Sequence, residues 1–132
     1  MLDIVYSNRR KTYRFPLNKS GSITIYNNIN ISEPIEISNI SYDGIQIVFS
    51  NNNFLIDFFE SYENTDYKIT IQIEFNNKKY IFENKILWIR LYNIGERNSY
   101  VLSGLNFVNK ESYEGNLMEL LLLIDMEKVY IG

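Results

Sequence analysis

Apolar and polar residues alternate most strictly between 67 and 75, where Tyr67, Ile69, Ile71, Ile73 and Phe75 fall on one face and Lys68, Thr70, Gln72 and Glu74 on the other. A period of two marks a half-buried antiparallel strand. Asn76 and Asn77 tolerate positive φ and can turn the chain, and 80–92, which contains Trp88, supplies a long return strand. Residues 67–92 therefore predict a hairpin. Shorter strand signals at 22–27, 35–39, 44–50 and 100–108, each bounded by Asn, Ser, Gly or Pro, bring the total to about six strands. For so short a chain, a closed or nearly closed antiparallel barrel buries one face and leaves few free edges.

The period changes near the C-terminus. Leu117, Leu120, Leu121 and Ile124 recur at i, i+3, i+4 and i+7, which predicts an amphipathic helix over 116–128 with Asn116 as its cap. A helix of that length does not stand alone in water, so it must pack, across the open end or a side of the barrel. The spacing alone leaves open whether the leucines cover the barrel or pair with a second helix. Residues 51–66, with Phe54, Leu55, Phe58 and Phe59, fit a short helical turn or a covering loop equally well. No internal repeat or linker is visible.

Composition bounds the chemistry. The chain has 132 residues, enough for one domain and not two, with 45% hydrophobic and 22% charged residues, as in a packed globular protein. Cys and His are both absent. That excludes thiol nucleophiles, disulfides, Cys/His zinc sites, Ser-His-Asp triads and histidine pH switches. The longest apolar run, from Leu120 to Ile124, falls far short of the roughly 20 residues that span a bilayer, and the N-terminus lacks the apolar core of a secretion signal. A cytoplasmic protein without a membrane span is expected. The bias to Ile and Asn with no Ala fits an AT-rich genome, and it favours strands.

The net charge of −3 hides an asymmetry. The first twenty residues carry Arg9, Arg10, Lys11, Arg14 and Lys19 against Asp3 alone, a net of +4, which leaves −7 for the remainder. A compact basic segment on an acidic body suits a small phosphate-bearing ligand and disfavours a long polyanion such as DNA or RNA. Within the run RRKTYR at 9–14, arginine matters because a guanidinium donates two hydrogen bonds at once to a phosphate or to the O6/N7 edge of guanine. A second polar segment, NISYDG at 39–44, lies between two apolar strands. Asn39 and Ser41 offer an amide and a hydroxyl to a base edge or phosphate oxygen, and Gly44 is where positive φ would let the chain enter the next strand. Either segment alone occurs often by chance.

Together, and in this order, they resemble the PilZ domain family. Arg10-x-x-x-Arg14 and Asn39-x-Ser41-x-x-Gly44 match the family's two motifs, with Asn39 25 positions after Arg14. The long hairpin, the segment SGLNF at 103–107 and the closing helix extend the likeness over nearly the whole chain from residue 9. The resemblance implies one domain over 1–132, mainly β: a six-stranded antiparallel barrel of the split-barrel type with a C-terminal α-helix packed on it. Residues 1–18 would be the N-terminal ligand-binding segment, 19–110 the barrel and 115–128 the helix. It also implies binding of the bacterial second messenger cyclic di-GMP. Arg10 and Arg14 would hold phosphates and guanine edges, Asn39 and Ser41 would contact guanine and phosphate, and Gly44 would keep the turn. Arg9, just before the motif, looks like the form that accommodates a stacked pair of ligands. Asn39 stands where many members have Asp, so its contact to guanine lacks an ionised acceptor, and Asp43 places a carboxylate near a phosphate; both weaken binding.

The expected protein is thus a non-enzymatic nucleotide-binding receptor with no cofactor and no metal, signalling to a separate protein partner by ordering the N-terminal segment. Carboxylates such as Asp57, Glu60 and Glu63 show no catalytic spacing. An oligonucleotide-binding barrel would stack bases on aromatics such as Tyr26, Phe82 or Trp88, but the acidic body opposes a long backbone. The alternative is a PilZ-like adaptor that works through protein contacts without ligand.

Overall fold

Every strand signal in the sequence is realised, most of them longer than the pattern alone marks. The structure is a computed structural model that describes residues 13–26, 30–61, 67–94 and 98–131. Its strands are β1 (Phe15–Tyr26), β2 (Asn30–Ile40), β3 (Gly44–Ser50), β4 (Lys68–Phe75), β5 (Lys78–Ile94) and β6 (Asn98–Phe107). Helix α1 (Asn53–Glu60) lies between β3 and β4, and a 3-10 turn (Lys110–Ser112) leads from β6 into helix α2 (Glu114–Ile131). All neighbouring strands are antiparallel, in the order β1-β2-β3-β6-β5-β4, and β1 pairs with β4 to close the barrel. The fold is mainly β, as the sequence predicts.

Alternation explains the core. Ile23, Ile37, Ile47, Ile69, Ile71 and Ile73 all point inward and are fully buried, each worth roughly 1.5–3 kcal/mol of transfer free energy. Asn76 and Asn77, at φ 53° and 66°, make the two-residue turn of the predicted hairpin, closed by the Phe75–Lys78 pair. The stretch left open at 51–66 contains α1. The Asn52 side chain caps it by accepting the Leu55 N–H at 3.0 Å, and Leu55, Ile56 and Phe59 are buried on its inner side.

Helix α2 buries Leu117, Leu120, Leu121 and Ile124, the stripe that the spacing predicts, and packs on β1 and β5. Its start differs from expectation. The 3-10 turn feeds the helix from Glu114, so Asn116 lies inside the first turn rather than capping it, and the Leu117 N–H bonds the Tyr113 carbonyl at 3.0 Å. Asn116 instead accepts from Lys78 Nζ at 3.5 Å. Glu119 fastens the helix, accepting from Lys78 Nζ at 2.7 Å and from the Tyr80 hydroxyl at 2.6 Å. Lys78, and then Tyr80, hold the Glu119 carboxyl below its ordinary range. Burial first, and Glu119 second, push the Tyr80 phenol up to about 12. Among the described residues no helix is long and apolar enough to cross a membrane.

Candidate functional site

The register of β1 on β2 brings the two sequence motifs together. Phe15 lies opposite Ile40 and Pro16 opposite Asn39, so Arg14, one residue before β1, stands at the same end of the ladder as Asn39 and Ser41. Along β1 the odd-numbered Phe15 and Leu17 pack against the core. Arg14 and Pro16 are exposed on the outer face. Arg9 and Arg10 lie outside the described residues.

Two bulges set the outward aim of Asn39. The β1–β2 register shifts between Pro16 and Lys19, where Asn18 takes φ 51°, and the β2–β3 register shifts between Ile37 and Asn39. Ser38 is the extra residue, and its hydroxyl donates to the Gln46 carbonyl at 3.1 Å. Ile37 and Ile40 both face the interior while Ser38 and Asn39 between them are only half-buried. The bulge thus turns Asn39 to the surface without disturbing the core on either side.

From there a row runs across the outside of the barrel. Pro16 pairs with Asn39, Asn39 with Gln46, Gln46 with Gly104 and Gly104 with Trp88, and directly opposed residues share a face. The Trp88 indole lies on Gly104 so closely that a Cβ there would collide with Nε1 and Cε2 of the ring. The Arg90 guanidinium sits 5.1 Å from the indole centroid. Motif spacing missed Gln46, Trp88 and Arg90 because the strand register, not proximity in sequence, sets Gln46 beside Asn39 and Trp88 two strands further along the same row.

Ser41 and Gly44 are turn-builders. The Ser41 hydroxyl oxygen accepts from the Asp43 and Gly44 amides, both at 3.2 Å, and the Ser41 N–H donates to the Gly44 carbonyl at 2.8 Å. Both lone pairs of the hydroxyl are therefore engaged within the turn, and the residue is buried. Gly44 does not adopt the positive φ expected of it. It is required for space instead: β6 passes so close that a Cβ at 44 would overlap the Leu105 carbonyl oxygen.

The two residues between Ser41 and Gly44 reach the α2 end of the barrel. Lys110 Nζ lies 3.6 Å from the Tyr42 ring centroid and 3.5 Å from Asp43 Oδ1, and the Tyr42 hydroxyl donates to Glu114 Oε2. That bond to Glu114 comes first among the causes that raise the Tyr42 phenol above its usual range. Among the described residues no cluster of three or more acidic side chains is arranged to hold a metal. A shallow groove of about 500 Å³ on the same outer surface is lined by Pro34, Glu36, Val48, Asn52 and Tyr100; Glu36 makes it unsuited to a phosphate.

No known family's sequence profile matches the chain, and no curated protein matches it significantly. Solved structures do. The PilZ domain of Escherichia coli YcgR, with c-di-GMP, superposes with a TM-score of 0.59 at 14% identity, covering 91% of this chain and 94% of that one. MrkH of K. pneumonia in its apo state gives 0.66 at 12% identity over 91% of this chain and 53% of that one. PlzA of Borreliella burgdorferi, in complex with c-di-GMP, gives 0.53 at 16% identity over 92% of this chain and 56% of that one. The chain thus spans about half the length of MrkH and PlzA, and nearly all of the YcgR domain. A six-stranded antiparallel barrel closed by β1 on β4, carrying a C-terminal helix, is in this protein the PilZ-domain fold.

Proposed function

We propose that this chain is a receptor for cyclic di-GMP. The observation that carries the proposal is the β1–β2 register, which sets Arg14 and Asn39 at one end of one outer face, with Gln46 next to Asn39 and the Trp88–Arg90 stack further along the same row. The ligand has two phosphates and two guanines. Arg10 and Arg14 bind phosphate oxygens and the O6/N7 edge of guanine, the pairing for which a guanidinium is shaped. Asn39 receives guanine N–H groups on its amide oxygen. Ser41 and Gly44 support the site by fixing the turn, since the Ser41 hydroxyl already donates to the Gly44 carbonyl at 3.4 Å and reaches a phosphate oxygen only by giving up that bond. Arg9 supplies the cation for a second, stacked ligand. The c-di-GMP complexes of the similar YcgR and PlzA structures support the same ligand here. Binding fastens the 9–14 segment to the barrel and so changes the surface offered to a separate protein partner, without catalysis and without a cofactor.

The test is a calorimetric titration with cyclic di-GMP, with cyclic di-AMP and GTP as controls. Arg10→Ala and Arg14→Ala should each cost about 1–3 kcal/mol, or roughly five- to 150-fold in affinity. Trp88 is the only tryptophan, so its emission is a second, site-local readout. Unaltered emission and no heat with cyclic di-GMP would leave a protein-only adaptor on a PilZ-like barrel. A stoichiometry of one ligand per chain would remove the role of Arg9.

A further inference from the structure

Helix α2 has two apolar faces, and the barrel uses one. Opposite the buried stripe, Met118, Leu122 and Met126 are 50%, 60% and 46% exposed. They follow one another at i, i+4 and i+8, a single ridge of the kind that interdigitates with a second helix. Among the described residues, nothing covers this ridge or requires it to be apolar. An isolated exposed Leu needs no explanation, but three aligned large apolar side chains on a helix already anchored by its other face do.

Gly115 is an independent sign. It lies one turn N-terminal to Met118, at the end of the same ridge, and a Cβ there would have nothing within 4 Å. It is the second residue of the helix, and neither space nor a positive φ requires glycine there in the isolated chain. A bare position at the end of an apolar ridge lets another backbone approach closely.

Charge selects the occupant. The ridge is bordered by Glu114, which accepts from the Tyr42 hydroxyl, and Asp125 on one side and by Glu119, which is paired with Lys78, on the other, with Glu127 further round. A second copy of α2 would set acid against acid, and an anionic lipid surface would be repelled in the same way. A helix with Lys or Arg beside its apolar stripe is complementary. We propose that the outer face of α2 docks an amphipathic helix of a partner protein whose apolar stripe is bordered by lysine or arginine. This goes beyond ligand binding and stands without it.

The experiment uses the full chain without nucleotide and a labelled 18-residue synthetic helix, with leucines at i, i+3, i+4 and i+7 flanked by lysines, followed by fluorescence anisotropy. The same helix flanked by glutamates is the control. The lysine form should bind at least tenfold tighter, and its affinity should fall as salt rises. Leu122→Glu should abolish binding while leaving the melting temperature unchanged, because the side chain is exposed. Asp125→Lys, which replaces a bordering acid with a cation, should narrow the preference for the lysine helix. Equal binding of both helices, or no binding of either, would overturn the proposal. So would a dimer in sedimentation that Leu122→Glu dissolves, which would assign the face to a second copy, or binding to anionic vesicles that Leu122→Glu removes, which would assign it to a membrane surface.

Discussion

A methyl group at position 44 would sit inside the van der Waals shell of the Leu105 carbonyl oxygen. Gly44→Ala should therefore destabilise by about 1–3 kcal/mol, read by urea denaturation, with ligand affinity falling as the turn shifts. Ser41→Ala leaves the Asp43 and Gly44 amides without their acceptor and should cost a similar 1–3 kcal/mol. Arg14→Ala, at an exposed residue, should leave stability unchanged and weaken only binding. This contrast separates the residues that build the turn from the residue proposed to meet the ligand. At the same scale lies the limit of what the sequence shows. A glycine announces a constraint but not its kind, and at 44 the constraint is a neighbouring backbone rather than φ. Among the described non-glycine residues the left-handed conformations fall on asparagines instead, at 18, 51, 76, 77 and 109, and the 76–77 pair, set between two adjacent strand signals, was the one that could be read.

Elements were legible in proportion to their periodicity. The strands and the buried stripe of α2 followed from alternation and from i, i+3, i+4, i+7 spacing. Helix α1 did not, because its start lies in three consecutive asparagines with three different tasks. Asn51 turns the chain at φ 55° and accepts the Ser99 N–H at 3.0 Å, Asn52 caps the helix, and Asn53 begins it. Asn52→Ala should cost about 1 kcal/mol, visible as a lower melting temperature, and Asn53→Ala much less. The bulge at Ser38 was equally hidden, since a one-residue slip against β3 leaves no mark in a single strand's pattern. At α2 the titrations give a pH signature. Glu119 has its carboxyl depressed in the folded state, so the stability it contributes is present above the ordinary carboxylate pKa and is lost as pH falls through the depressed value. Tyr80 is raised from 10.0 to about 12, so its contribution is complete below pH 10 and is lost as pH climbs toward 12. Stability should decline at both extremes, and because Tyr113 is also pushed up to about 12, chiefly by burial, Tyr80→Phe should make the alkaline limb shallower without removing it in a denaturation series across pH 9–12.

For the whole molecule, β1 occupies a special position: it pairs with β2, the next strand in the chain, and with β4, where Gly21 meets Ile73 only after β2, β3 and α1 have intervened. Strand pairs so distant in sequence form only after the chain between them has been confined, which places a barrel of this kind among the slower folders, in the ms–s range. The strand that closes the ring is also the one that carries Arg14 toward Asn39. A nucleotide held by both residues would therefore pin β1 to β2, and with it the strand whose other edge closes the barrel on β4. Its effect should be kinetic as well as thermodynamic: the rate of opening should fall with nucleotide concentration while the rate of refolding stays constant, and stopped-flow denaturation with and without cyclic di-GMP would record the difference.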